Sequence, residues 1–394
     1  MTVVLVAAFF FFLDPFRLFD RGSRVPRPPV SRAETTELVE FYRSTRLPAG
    51  EYVAGMFDRF SVVLIGETGN IRQHVEVAAE IVPALFDRGV RAYAVAFLRS
   101  ADQDDIDALL TAETFDEALA HELLFRRLVL NGYEEYVDVL RGVWTVNIAR
   151  SPGTEPMRVL GLAGREDYTH IRTEADARDP EVVRRVLLDG LQDEHAASVL
   201  IRAAERGERI AAYVGFESAW TRVSNPEYAT RVEEQGFTET RRAGRIVADR
   251  LGNDRVATVL LHAPWPDDRA QLLVGYPAGG RVDEVLRTVG PGEQAGGFDV
   301  RGTPFGSVRI ASGDYRRLQD DLTFGDMADG YIVNGPINEY TGLTPIPDFI
   351  TAENLAEALR RFPGPDPGDV SAADLNRYMS EMATGFARRF EEFR

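Results

Sequence analysis

The 394-residue chain contains no cysteine and no lysine; all 45 of its basic residues are arginine. The first absence excludes disulfides, thiolate nucleophiles, thiolate zinc sites and a lipid-bearing cysteine. The second excludes Schiff-base and pyridoxal phosphate chemistry, and it removes the lysine that a Walker-type phosphate loop requires. Loss of lysine with arginine retained reads as a compositional bias and not as a functional device. Histidine is scarce as well, with five residues at 74, 121, 170, 195 and 262. No two of them have metal-ligand spacing on one helix, and HExxH does not occur. The net charge of -17 leaves no cationic face for phosphate, so no nucleic-acid partner is expected.

Hydrophobic residues make up 44% of the chain, enough for a sizeable core. The first segment, "TVVLVAAFFFFL", stops at Asp14-Pro15 and is shorter than the roughly 20 residues that span a bilayer. Residues 1–20 are expected to form a hydrophobic segment that contacts a membrane through residues 2–19. The arginines at 17, 21, 24 and 27 favour a cytoplasmic flank. The expected location is therefore membrane-associated at the N-terminus and otherwise cytoplasmic. Residues 21–50 read as a Pro/Arg linker with a short helix around Leu38, Phe41 and Tyr42. An α/β domain is expected over 51–345 and a C-terminal helical extension over 346–394.

From Ser61 the pattern is strand, helix, strand. "SVVLIG" and "VRAYAVAFL" flank a helix over Ile71 to Arg88, which Pro83 should kink and Gly89 should stop. Such a unit implies parallel strands with a right-handed crossover. Further strands are expected at "WTVNIA", "MRVLGLA", "RIAAYVG", "RVATVLLH" and "QLLVGY". The longest helical stretch runs from Asp179 as N-cap through Pro180 to Gly207. The last helix opens at Ser371 with Asp374 three residues on, a capping-box variant, and carries Leu375, Tyr378, Met382, Phe386 and Phe390 as its stripe. The expected fold is α/β, a mostly parallel central sheet flanked by helices, with additional C-terminal helices.

Ligands of open parallel sheets bind outside the carboxyl ends of the strands. Glu67, Glu217 and His262 each stand at or just past such an end and are the catalytic candidates. His74, one turn into the first helix, with Arg99, Arg178 and Ser218, forms the candidate ligand-binding set. The remaining histidines, 121, 170 and 195, lie in polar helical or loop contexts and read as structural. "GFESAW" lacks the second glycine of a GxSxG elbow.

The stretch "VVLIGETG…QHVEVAAEIVPALFDRGVRAYAVAFL", with "GYEEYVDVLRGVWTVN", "RDPEVVRRVLLDGL" and "GERIAAYVGFESAW", resembles the ChaN/Tiki/erythromycin-esterase-like superfamily over roughly Tyr52 to Trp220. That family carries two G-x-x-H motifs at strand ends and an acid after the second strand; its members bind haem or metal, or hydrolyse peptides or lactone esters. Here Gly66-Glu67-Thr68-Gly69 has glycine where the first histidine is expected. Gly215-Phe216-Glu217-Ser218 has serine at the second, and the acidic position falls at Ala96. Arg178-Asp179 matches the pair that opens the family's late helix.

The resemblance thus implies a catalytically degenerate member that binds a small molecule in the old cleft, with no metal site and no cofactor. The alternatives are a metal-dependent or carboxylate-based hydrolase with a rebuilt site, and a haem-binding protein using Tyr213 or His262. Haem or a divalent metal is the cofactor under those alternatives.

Overall fold

The computed structural model describes residues 25–173, 175–267, 274–311, 313–361 and 370–393. The apolar segment expected at 1–20 lies outside the described residues. Among them, no helix is long and apolar enough to cross a membrane.

Nine strands are described: β1 (Val62–Glu67), β2 (Ala92–Arg99), β3 (Arg158–Ala163), β4 (Ile210–Gly215), β5 (Val256–Leu261), β6 (Trp265–Pro266), β7 (Val274–Gly275), β8 (Ala295–Asp299) and β9 (Gly330–Asn334). Seven build one sheet in the order β3-β2-β4-β1-β5-β9-β8, and β6 and β7 form a small separate ribbon. Every pair in the large sheet is parallel except β8–β9. The expected α/β class with a mostly parallel sheet is what the chain adopts.

The strands are apolar on both faces because both are covered. Val63, Ile65, Tyr93, Val95 and Tyr213 pack with the helices Arg72–Glu80, Val82–Asp87 and Glu134–Ala149. Val62, Leu64, Ala94 and Ala212 pack with Gln192–Glu205, Ala243–Leu251 and Arg281–Thr288 on the other side. The first crossover helix breaks at Ile81, two residues before Pro83, which sits in the first turn of the second segment.

Several expectations are corrected. "WTVNIA" belongs to the helix Glu134–Ala149, not to a strand. Its β-branched residues suggested a strand, but the buried Tyr136, Leu140, Val143 and Asn147 recur at helical spacing. The stretch from Asp179 to Gly207 is two helices, Pro180–Val186 and Gln192–Glu205, separated by a turn in which Gly190 has φ of 81°. Asp179 does cap the first, accepting from the Glu181 N–H. Of "QLLVGY", only Val274–Gly275 is a described strand.

The C-terminal helix Ala372–Phe390 opens on the expected box: the Ser371 hydroxyl accepts from the Asp374 N–H and the Asp374 carboxylate accepts from the Ser371 N–H. Its deepest residues are Leu375, Met379, Ala383, Gly385 and Phe390, a stripe rotated from the one expected. Ser371→Ala is expected to destabilise this helix by about 0.5–2 kcal/mol. Hydrogen exchange should speed up over residues 372–390 and leave the β1 and β4 amides unchanged.

The chain leaves β1 toward β2 on one face and leaves β4 toward β5 on the other. Because β1 and β4 are neighbours, their carboxyl ends form the switch point at which open sheets of this kind hold ligands.

Candidate functional site

Gly66 lies opposite Val214, and Glu67 lies opposite Gly215, so the two strand exits are adjacent. The Phe216 N–H donates to the Glu67 carbonyl at 2.7 Å and locks them together. The two glycines differ in purpose. A Cβ on Gly66 would lie 2.7 Å from Leu260 Cδ2 and 2.9 Å from Ala219 Cβ, so only glycine lets the turn after β4 close over β1. At Gly215 the nearest atom to an added Cβ is 3.9 Å away, and no such crowding exists.

Strand alternation sends Glu67 to the same side as Val63 and Ile65. There it meets an aromatic wall in which Phe97 lies 4.8 Å from Tyr136 and 6.5 Å from Tyr213, ring centre to ring centre. Part of Glu67 still reaches the surface, but its Oε2 and the Tyr213 hydroxyl are sealed from solvent, and the Tyr213 hydroxyl is placed to interact with the Glu67 carboxyl. Burial pushes the Glu67 carboxyl up to about 7, and the neighbouring Tyr213 hydroxyl pulls it only partly back. Burial also holds the Tyr136 and Tyr213 phenols well above their usual range, with the Glu67 charge adding to it. Glu67 is therefore a carboxyl that changes protonation near neutrality, as a general acid or base requires.

Glu217 faces the other layer. Its Oε2 accepts from Arg242 at 2.5 Å and from the Asn225 amide at 2.9 Å. Arg242 also donates to the buried Asp193 at 3.1 Å and lies 3.7 Å over the Tyr228 ring. Asp193 accepts further from the Ala243 N–H at 3.0 Å and the Tyr228 hydroxyl at 3.1 Å, and the Ser218 hydroxyl lies beside it. Glu217 is thus the outer counter-ion of a buried arginine, and Ser218 belongs to the same network. Among the described residues, no hydrogen bond or ion pair links Glu217 to Glu67.

His74 is a clamp. Its Nδ1 accepts from the Thr68 N–H at 3.1 Å, which places the proton on Nε2 and lets Nε2 donate to the His262 carbonyl at 2.9 Å. Burial drives its pKa down to about 4, so the ring stays neutral and ties the exits of β1 and β5 together. His262 is fully buried, with Nδ1 at 3.1 Å from the Tyr331 hydroxyl and Nε2 at 3.4 Å from Asp283 Oδ1. Arg99 makes a two-point pair with Asp102, at 2.7 and 2.8 Å, and Arg126 reaches the same carboxylate. Arg178 is exposed on the turn before Pro180. Sequence reasoning placed Glu67, Glu217 and His262 on one rim; the structure gives their side chains separate partners.

Donors outside that set were missed. Glu117, His121 and Glu134 bring one ligand atom each within 4.8 Å of one another, although Glu117 is also held by Arg141 at 2.9 Å. Ser100, just past β2, lies 2.7 Å from His195 Nε2. A groove of about 340 Å³ lined by Phe41, Leu47, Tyr52, Met56, Arg59 and Asp299 sits at the amino edge of the sheet, away from the switch point.

A metal or haem at the two motif positions finds no donor set. Gly69 offers no side chain and Ser218 is turned to Asp193. Tyr213 and His262 are both buried, at 2% and 0% exposure, so neither presents a ligand to a porphyrin face.

No family model matches the chain, and no curated protein matches it. Solved structures similar to it include a Bacillus cereus protein at 10% identity, covering 77% of this chain and 97% of its own, with a TM-score of 0.46. A succinoglycan biosynthesis protein covers 59% of this chain and 76% of its own at 10% identity and a TM-score of 0.42. ChaN of Campylobacter jejuni, solved with cofacial haem, covers 54% and 85% at 14% identity and a TM-score of 0.32. Likenesses this distant say nothing of ligand or activity.

Proposed function

We propose that the chain binds a small polar molecule at the carboxyl ends of β1 and β4, with Glu67 as its proton-exchanging contact, and that it is a catalytically reduced member of the superfamily its motifs resemble. The observation that carries this reading is the sealed carboxyl of Glu67 at the switch point, raised to about 7 and with the Tyr213 hydroxyl as its polar neighbour in the aromatic wall. A carboxyl left in that state is destabilising, and structures retain such groups at sites that use them. The reduction follows from the surroundings. Neither motif position supplies an imidazole, and His74, the nearest in sequence, has both nitrogens bonded to backbone.

A broad ester and peptide screen of the purified chain is expected to show no turnover. Thermal-shift screening of small polar compounds should then find ligands whose stabilisation disappears in Glu67→Gln. Robust hydrolysis abolished by Glu67→Ala would overturn this reading.

A serine-type hydrolase, distinct from the metal- or carboxylate-based one the sequence suggested, has one observation of its own, the Ser100–His195 contact. Burial holds His195 below its usual value, as a neutral base needs. Covalent labelling of Ser100 by a fluorophosphonate, lost in His195→Ala, would move the choice to it.

A further inference from the structure

Around the carboxyl end of β5, four polar side-chain atoms are sealed from solvent and make no well-formed hydrogen bond. They are His262 Nε2, Asp283 Oδ2 and the hydroxyls of Tyr276 and Tyr340. The side chains are deep: His262 is 0% exposed, Tyr340 3% and Tyr276 7%. Tyr276 and Tyr340 pack in an apolar cluster with Ile71, Ala263, Ile337 and the C-terminal Phe390 and Phe393. Native interiors leave few such groups, and a missing ion or water is the usual cause.

Charge selects an ion. Among the described residues, the ion-pair partner of Asp283 is His262, which is charged only when protonated. Asp283 lies close enough to the phenols of Tyr340, Tyr276 and Tyr331 for its charge to act on all three. A largely enclosed carboxylate whose ion-pair partner is a histidine, with neutral phenols close by, can accommodate a cation.

Geometry selects a metal. His262 Nε2 and Asp283 Oδ1 face each other at 3.4 Å, and Nε2 makes no hydrogen bond. Two ligand atoms each about 2.0–2.1 Å from a tetrahedral ion stand roughly 3.3–3.4 Å apart. The supporting contacts are also present. A ligating histidine engages its second ring nitrogen with a neighbour; here Nδ1 has the Tyr331 hydroxyl at 3.1 Å. The His262 backbone is pinned at both ends, its N–H on the Ile332 carbonyl at 2.8 Å and its carbonyl under His74 at 2.9 Å.

We propose that the His262–Asp283 pair binds a first-row transition-metal ion of the zinc or iron type, with His262 Nε2 and the Asp283 carboxylate as anchoring ligands. Imidazole, carboxylate and phenol donors without thiolate suit those ions. Tyr340, whose hydroxyl also meets the Asn334 backbone, is the next donor; Tyr276 is engaged by Arg27 and is the weaker one. On binding, His262 holds its proton on Nδ1, donated to the Tyr331 oxygen, and any phenol that ligates releases its proton to solvent. The Val25 N–H bonds the Glu392 carbonyl at 3.0 Å, and Val25 packs in the same apolar cluster as Tyr276 and Tyr340, so a bound ion would tighten the N-terminal strap against the C-terminal tail.

The test uses the full chain, stripped with a chelator and dialysed against zinc(II), then separately against iron(III) citrate. One ion per chain is expected, with a raised Tm and, for iron, a visible phenolate-to-metal band that Tyr340→Phe weakens. Asp283→Asn should abolish binding, Tyr331→Phe should weaken it roughly 10–100-fold, and His121→Ala should leave it intact. Because Asp283→Asn alters a buried position, anomalous scattering from zinc-grown wild-type crystals locates the ion independently of any variant. Absence of binding, loss in His121→Ala alone, or anomalous density elsewhere would leave His262 and Asp283 a simple ion pair and overturn the proposal.

Discussion

Replacing Asp193 with alanine is expected to cost about 3–5 kcal/mol at neutral pH, because the change strands a buried arginine. Asp193 joins the helices Gln192–Glu205 and Ala243–Leu251 through Arg242, the Ala243 N–H and the Tyr228 hydroxyl. Burial alone would raise its carboxyl, but Arg242, the Ala243 N–H and the Ser218 hydroxyl outweigh it, and the value falls below the usual one. A carboxyl depressed in the folded state contributes stability that is present above its unfolded value and lost as pH falls through the folded one. The gap between wild type and Asp193→Ala in urea melts should therefore be widest near neutrality and close toward acid. Asp193→Asn keeps an acceptor for Ala243 but not the charge, and should fall between them. A gap that stays constant down to strong acid would show that packing, and not the charge on Asp193, sets the cost.

This network also shows where sequence reading stops. β1 to β5 were legible because each is a short apolar run ended by turn residues, and a strand buried on both faces needs little more. β8 was not, because "AGGFD" is written for its neighbours. A Cβ on Gly297 would lie 2.3 Å from the Tyr52 ring, and one on Gly296 would lie 2.8 Å from the Leu47 carbonyl, so glycine replaces the usual strand residues. Glu67 could be named from its place at a strand end, and that place is where the chain puts it. The roles of Glu217 and His74 could not be named, since they are set by Arg242, 25 residues from Glu217, and by the His262 carbonyl, 188 residues from His74. Asp283 gave no signal at all, because a carboxylate in the first turn of a helix is an ordinary feature of exposed helices.

Glu67→Gln is expected to make the protein more stable as pH rises, the reverse of what loss of a structural carboxylate would do. The folded-state value near 7 stands above the ordinary 4.5, and burial is the main cause. Between those two values the native state holds a proton that the unfolded chain has released. Stability from this group is therefore complete below the unfolded value and is lost as pH climbs through the folded one. Glutamine copies the protonated acid at every pH and avoids that loss. With allowance for the part of Glu67 that solvent still reaches, the advantage of the variant should grow by about 1–3 kcal/mol from below pH 4.5 to above pH 7. Urea melts of both proteins across that range give the difference directly, and the wild-type carboxyl can be followed by carbon-13 NMR of labelled glutamate. If the difference stays flat, or if the variant loses stability toward alkaline pH, Glu67 is an ordinary ionised residue and the proton-exchanging site goes with it. If the advantage appears, the wild-type chain keeps a less stable residue at its switch point, the pattern expected where a group is retained for binding or chemistry and not for folding.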